Sequence, residues 1–129
     1  EEGHLAAVEV LTEGLLRLGL LQGDLEENII EGHYQRFYRH KTGHWLGLDV
    51  HDVGDYRVAG ESRLLEPGMV FTIEPGLYIS PDDRSVEARW RGIGIRIEDD
   101  VLITEDGHQV LTAALERSAD EIEAFMAQR

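Results

Sequence analysis

The sequence predicts an α+β fold in which helices pack on an antiparallel sheet. Helical periodicity marks both ends of the chain, and alternation of apolar and polar residues marks strands between them. Turn signals at Pro75-Gly76 and Asp106-Gly107 break the strand patterns. The 129 residues suffice for about one domain, and neither a linker nor a repeat divides them.

Three segments carry helix signals. Apolar residues recur every three or four positions over residues 5–18, which predicts one helix face that ends near Gly19. The run Asp24–Glu27 predicts a capping box and a short helix that ends at Gly32. A second capping box over Ser118–Glu121 predicts a final helix.

Two strands are predicted from strict alternation. Residues 69–74 place Met, Phe and Ile on one face, and residues 93–98 place three isoleucines on one face. Asp99-Asp100 is predicted to turn the chain into a further strand at Val101–Thr104. Asp106-Gly107 is then the turn of a hairpin.

Acidic residues outnumber basic ones by 26 to 12, so the formal charge is −14. Such a charge repels phosphate backbones and anionic headgroups, which disfavours nucleic acid and membrane surfaces as partners. No apolar run approaches the ~18 residues of a membrane span. The chain lacks Cys, which excludes thiol chemistry, favours a cytoplasmic location and leaves His and carboxylates as candidate metal ligands.

Four of the six histidines, His33, His40, His44 and His51, lie within 19 residues. A histidine-rich tract has metal-binding potential. The spacings match no zinc-binding helix motif, and Gly43 disfavours a helix between His40 and His44. Surface or hydrogen-bonded core histidines are therefore the favoured interpretation of the cluster by itself.

Glu74 and Glu98 end the two strand patterns on the face opposite the apolar residues, beside Thr72 and Arg96. On a solvated face they need no special explanation. Facing inward, such carboxylates require a charged partner, and a divalent cation is the strongest one. Glu and His suit Mn²⁺, Co²⁺, Fe²⁺ or Zn²⁺. The pattern alone leaves a metal site and a solvated or salt-bridged face equally open.

Three ordered motifs carry a family resemblance. The run Gly43–Gly54 (GHWLGLDVHDVG) resembles the histidine motif of Xaa-Pro aminopeptidase, also called aminopeptidase P, and of the related prolidase. Leu65–Gly76 resembles the next signature of that family, and Gly92–Asp100 resembles its last. The resemblance continues through the final helix and so covers nearly the whole chain.

The resemblance implies a pita-bread fold, of which residues 1–129 are expected to form the C-terminal half of the catalytic domain. It also implies two divalent metal ions, usually manganese, that share a bridging hydroxide. The implied reaction removes an N-terminal residue from a peptide whose second residue is proline. Prolidase, which acts on dipeptides, is the alternative activity, and a non-catalytic pita-bread binding protein is the alternative from another class.

Metal ligands are carried over from the resemblance onto matching positions. His44 matches the histidine ligand of the family, Glu74 a carboxylate ligand to one metal, and Glu98 the carboxylate that bridges both. Such a pair of cations lowers the pKa of water and polarises a carbonyl.

Catalytic roles follow from the same resemblance. Glu74 is expected to act as general base, and His51 to contact substrate and stabilise the tetrahedral intermediate. His40 matches a histidine that lines the substrate pocket. Arg96 matches an arginine that steadies the neighbouring ligands. His33 is expected to have no catalytic role.

The chain departs from the family pattern in its ligand set. Two aspartate ligands and an upstream histidine have no counterpart here, because Asp24 lies at a helix cap and Asp49 inside the histidine motif. Since position 1 is also not Met, the N-terminal part of the protein is expected to be absent. The chain alone is therefore expected to be inactive, to bind metal weakly, and to self-associate through open sheet edges.

Overall fold

The computed structural model of the chain describes residues 1–128. Its α-helices are α1 (Glu2–Arg17), α2 (Leu25–Ile30) and α3 (Ala119–Met126). Its strands are β1 (Arg57–Val58), β2 (Glu61–Ser62), β3 (Val70–Ile73), β4 (Gly76–Tyr78), β5 (Gly94–Arg96), β6 (Asp99–Thr104) and β7 (Gly107–Val110). Every strand pair is antiparallel. The α+β prediction is confirmed.

All three predicted helices are present. The first begins earlier than the pattern indicates, and it ends before Gly19, whose φ is +72°. At the second, Asp24 Oδ1 accepts from the backbone N–H of Glu26 at 2.8 Å. At the third, Ser118 and Glu121 form the reciprocal capping box. None of the helices within residues 1–128 has the length and apolar character needed to cross a bilayer.

The chain divides into two compact units, each of two segments. The first comprises residues 1–44 and 74–96, and the second comprises residues 45–73 and residue 97 onward. Both units are thus discontinuous in sequence, and the chain passes between them three times: after His44, at the end of β3 and at the end of β5.

The first unit packs α1, the segment after α2, and strand β4 with the loop that follows it around a small apolar core. Leu15, Phe37, Ile79 and Val86 are buried together. The N–H of Tyr78 donates to Phe37 O at 2.9 Å, which attaches β4 to the segment that follows α2. The helical face and the sheet are therefore joined by both apolar packing and a backbone hydrogen bond.

A polar anchor fastens the loop between β4 and β5. The Arg36 guanidinium binds the Asp83 carboxylate and the Ser85 hydroxyl, and Ser85 Oγ also donates to Asp83 Oδ1 at 2.7 Å. Val86, directly after these residues, is 7% exposed and belongs to the core. The loop is therefore tied to the segment after α2 at both a charged and an apolar point.

The second unit contains a three-stranded sheet in the order β3–β6–β7. The predicted hairpin is present, but its two-residue turn is Glu105-Asp106 instead of Asp106-Gly107, because Gly107 pairs with Thr104 inside β7. A smaller hairpin pairs β1 with β2, with Ala59 at φ +52° and Gly60 at φ +88° in its turn.

The predicted turn at Asp99-Asp100 is wrong, because both residues lie inside β6 and pair with Ile73 and Thr72. The Asp99 carboxylate accepts from Thr112 Oγ1 at 2.6 Å and from Arg117 Nη1 at 2.5 Å. These partners compensate the charge, which allows an acidic residue to start a strand.

The predicted strand over residues 93–98 is also shorter in the structure. Strand β5 ends at Arg96, because residues from Asp99 onward pair with β3 instead of β4. The burial of the strand faces also differs from what the apolar pattern suggests. Ile73 is 40% exposed and Ile95 is 60% exposed, whereas Thr72 is 2% exposed. Alternation identified the two faces of each strand but not which face is covered.

We expect Asp83→Asn to reduce the stability of the folded chain near neutral pH, and by a progressively smaller amount as the pH falls below about 4. Hydrogen bonds from Arg36 and Ser85 hold the pKa of Asp83 far below its usual range. Since this pKa is lower in the folded state, the stabilisation is present above about pH 4 and is lost as the pH falls through the folded value. Urea unfolding at about pH 7 and about pH 3 measures the difference.

The control for this measurement is Asp82→Asn, at an exposed neighbour without an ion pair among residues 1–128. An equal pH dependence in the Asp82 and Asp83 variants would contradict the assignment.

Candidate active site

A histidine–carboxylate pair lies at the centre of the candidate site in the first unit. His44 Nε2 is 3.1 Å from Glu74 Oε1, and the two side chains are only 18% and 10% exposed. The backbone N–H of Glu74 donates to Thr42 O at 2.7 Å. This hydrogen bond holds the residue after β3 against the loop that carries His44.

Arg96 contacts the other oxygen of the same carboxylate. Its Nη1 is 3.4 Å from Glu74 Oε2. The β4–β5 register pairs Gly76 with Arg96, which places the arginine two residues from Glu74 across the ladder. A largely buried carboxylate needs such partners, since burial of an unpaired charge is costly.

Tyr78 links Arg96 to His40. Arg96 Nε donates to the Tyr78 hydroxyl at 2.8 Å, and that hydroxyl is 3.1 Å from His40 Nε2. His40 Nδ1 is 2.8 Å from Lys41 O, which can only accept, so in the neutral ring Nδ1 carries the proton. Nε2 is then the acceptor, and Tyr78 donates to it while accepting from Arg96.

Two glycines make room for the Tyr78 ring. A Cβ on Gly76 would lie 2.5 Å from the Tyr78 hydroxyl, and a Cβ on Gly94 would lie 3.2 Å from the ring. Both glycines share a strand face with Tyr78, because Gly76 lies two residues before it and Gly94 is its partner across the β4–β5 ladder. The Gly-x-Tyr spacing of residues 76–78 indicates room for a ring on this face, but it does not identify the partners of the hydroxyl.

A buried hydroxyl network fixes the loop before His44. Thr42 Oγ1 is 2.6 Å from the Tyr38 hydroxyl and 2.7 Å from His4 Nδ1. Burial raises the pKa of Tyr38. Burial first, and then the nearby Lys41 charge, lower the pKa of His4. Both shifts favour the neutral forms, which are the forms that share hydrogen bonds with a neutral hydroxyl.

The sequence-predicted site residues fall in both units. His40, His44, Glu74 and Arg96 belong to the first unit and form the contacts described above. The remaining two belong to the second unit, and both are exposed. His51 lies in the segment before β1, and Glu98 lies directly before β6. His33 is exposed in a short 3₁₀ helix.

The His44 and Glu74 side chains have a geometry that suits a shared cation. Two ligands that bind one cation at about 2.1 Å and at right angles lie about 3 Å apart. The 3.1 Å between His44 Nε2 and Glu74 Oε1 meets this condition. An imidazole nitrogen and a carboxylate oxygen form a donor set for divalent first-row metals.

Comparison with known proteins identifies the family. The profile of metallopeptidase family M24 matches residues 1–105, which is most of the chain. The chain belongs to metallopeptidase family M24. It is 54% identical to Xaa-Pro aminopeptidase of Escherichia coli strain K12 over 119 residues. It is 39% identical to human Xaa-Pro aminopeptidase 3, also over 119 residues.

Solved structures match this M24 chain along nearly its whole length. Aminopeptidase PepP of Pseudomonas aeruginosa superimposes with a TM-score of 0.94 at 58% identity, covering 97% of this chain and 28% of that one. Zinc-substituted aminopeptidase P of E. coli with product gives a TM-score of 0.87 at 53% identity, covering 94% and 27%. The predicted membership of the pita-bread fold class is confirmed.

The M24 chain spans about a quarter of the length of its relatives. The alignments cover 92% of this chain but 26% of the E. coli enzyme and 23% of the human one. The same proportion applies to the solved structures, of which 27% or 28% is covered.

We expect Thr42→Val to destabilise the first unit by about 1–3 kcal/mol, because it leaves the buried Tyr38 hydroxyl without its partner. Adding Tyr38→Phe should cost nothing further, since it removes the orphaned hydroxyl. Urea unfolding of the two single variants and the double variant measures this coupling.

The control for this cycle is Tyr34→Phe. The Tyr34 ring lies 6.4 Å from that of Tyr38, and its hydroxyl has no hydrogen-bond partner among residues 1–128. Its effect should add to that of Thr42→Val. If Tyr38→Phe were equally additive, Thr42 and Tyr38 would not be coupled.

Proposed function

We propose that this chain supplies part of the dinuclear metal centre of an Xaa-Pro aminopeptidase. In this proposal, residues 1–129 are the C-terminal portion of a pita-bread catalytic domain. The complete protein hydrolyses the bond between an N-terminal residue and a following proline. The observation that carries the proposal is the Glu74 carboxylate held between His44 and Arg96 in an M24 chain.

His44, Glu74 and Glu98 are the proposed metal ligands, with Glu98 shared by both ions. The first two present donor atoms at a suitable separation. Glu98 follows Arg96 by two residues and is the carboxylate that the family motif places there. A bound pair of divalent cations supplies Lewis acidity toward the scissile carbonyl and lowers the pKa of water. Mn²⁺ is the proposed metal, because oxygen and imidazole ligands suit it.

Glu74 is the proposed general base. Its Oε1 faces His44, whereas its Oε2 faces Arg96. In this scheme, Oε2 accepts a proton from the attacking water and returns it to the imino nitrogen of the leaving proline. Arg96 holds the carboxylate in one orientation, and its own orientation is held by Tyr78.

His40 and His51 are the proposed substrate contacts. In this proposal the His40 ring lines the substrate pocket, and its hydrogen bonds with Lys41 O and Tyr78 set its tautomer. His51 would donate a hydrogen bond to the oxyanion of the tetrahedral intermediate. The formal charge of −14 favours approach of the free ammonium end of the peptide.

Several features support the aminopeptidase over its alternatives. Three relatives that are 50% to 54% identical to this chain are named Xaa-Pro aminopeptidases, which favours that activity over prolidase. The three ligand positions carry His and Glu, which disfavours a non-catalytic binding protein. A cytoplasmic location is proposed from the absence of Cys. A homo-oligomer is proposed because β5 pairs only with β4 among the described residues and keeps one open edge.

We expect Glu74→Gln to weaken Mn²⁺ binding by the complete natural protein at least about 10-fold, because it replaces an anionic ligand by a neutral amide. Isothermal titration calorimetry measures the affinity. Glu105→Gln is the matched control, since Glu105 is exposed in the β6–β7 turn. Equal affinities in both variants would contradict the role of Glu74 as a ligand.

The complete natural protein, loaded with Mn²⁺, should hydrolyse a peptide with proline at the second position and spare the same peptide with alanine there. Residues 1–129 alone should show no turnover and bind metal weakly or as a single ion, because they lack the aspartate ligands. Release of the N-terminal residue can be followed chromatographically. Turnover by the short chain at about 1 s⁻¹ or faster would contradict this account.

A further inference from the structure

An open cavity of about 280 Å³ lies beside the Tyr78 ring in the first unit. Its apolar lining includes Ile79, Pro81 and Ile93, and Gly94 contributes bare backbone. Arg39 supplies the only charged side chain among its described lining residues. The cavity therefore combines apolar surface with one positive charge.

The Arg39 guanidinium is available to a ligand. Its Nε donates to Arg36 O at 3.1 Å, which restrains the direction of the side chain. Among residues 1–128, no carboxylate pairs with Arg39. Neighbouring Arg36, by contrast, is paired with Asp83. Acidic residues outnumber basic ones by 26 to 12 in this chain, so an arginine without a carboxylate partner is unusual. Its guanidinium can bind the carboxylate of a ligand in the cavity.

Tyr78 connects this cavity to the candidate active site. The same ring that lines the cavity donates its hydroxyl proton to His40 and accepts from Arg96. Arg39 is also the residue directly before His40. Tyr78 thus belongs both to the wall of the cavity that includes Arg39 and to the hydrogen bonds of His40.

From this arrangement we infer that the cavity is a subsite for the C-terminal residue of a short peptide substrate, with Arg39 binding its carboxylate. The inference rests on the proposed function. The C-terminal carboxylate is the only negative charge of a short peptide without acidic side chains, and guanidinium binds carboxylate in a bidentate manner. The apolar walls accept an apolar C-terminal side chain. Short substrates with a free carboxylate are thus preferred over their amides.

The test compares Xaa-Pro-Leu with its C-terminal amide, using the complete natural protein loaded with Mn²⁺. In Arg39→Gln, we expect KM for the free acid to rise about five-fold, as for loss of one solvent-accessible ion pair, with kcat unchanged. KM for the amide should not change. Arg39→Lys should retain part of the preference, because the charge remains. Arg84→Gln, at an exposed arginine outside the cavity lining, is the control.

A third peptide, Xaa-Pro-Glu amide, distinguishes the two sources of a carboxylate. It carries an acidic side chain but no C-terminal charge. If Arg39→Gln affected this peptide as strongly as the free acid, the subsite would recognise any carboxylate, and the assignment to the chain terminus would be overturned. Equal effects on the Xaa-Pro-Leu acid and amide would overturn the subsite altogether.

Direct binding separates the failure of the subsite from the failure of the proposed function. Pro-Leu, which is named as an inhibitor in a structure of E. coli aminopeptidase P, can be titrated calorimetrically against its amide without any turnover. A preference for the acid that Arg39→Gln abolishes would support the subsite even if no peptide were hydrolysed. Turnover of Xaa-Pro peptides without this preference would overturn the subsite and leave the proposed activity intact.

Discussion

The arrangement of the first unit depends on the contacts of the buried Glu74 carboxylate with His44 and Arg96. The residue is 8% exposed, so its charge requires compensation inside the protein. Compensation comes from two directions, since Oε1 faces His44 and Oε2 faces Arg96. The backbone of the same residue is bound to Thr42 O. Glu74 thus joins the loop before His44, the β4–β5 ladder and the candidate ligand His44.

Each partner of Glu74 is itself held by a further contact. Arg96 donates to the Tyr78 hydroxyl, and the Tyr78 ring lies over the space left by Gly76 and Gly94. Thr42 is bound through its hydroxyl to Tyr38 and to His4 of helix α1. The helix and the loop are therefore mechanically linked to the candidate site, although neither supplies a ligand. Such support limits the freedom of the donor atoms before any metal binds.

Charge distribution gives the proposed site its polarity. The formal charge of the chain is −14, which suits the ammonium end of a peptide. Arg96 is committed to Glu74 and Tyr78, whereas Arg39 has no carboxylate partner among the described residues. Tyr78 accepts a hydrogen bond from Arg96 and lines the same cavity as Arg39. In the proposed site, Arg96 positions the carboxylate of Glu74, and Arg39 is the arginine inferred to bind substrate.

The sequence by itself determined the helices, the hairpin, the ligand types and the three family motifs, because caps, turns and motifs depend on residues close in the chain. Only the tertiary structure decided which strand faces are covered, since burial depends on distant neighbours. It therefore corrected the turn at Asp99-Asp100 and showed Thr72 buried beside an exposed Ile73. It also showed the role of Tyr78, whose contacts with His40 and Arg96 span 38 and 18 positions and leave no local signal.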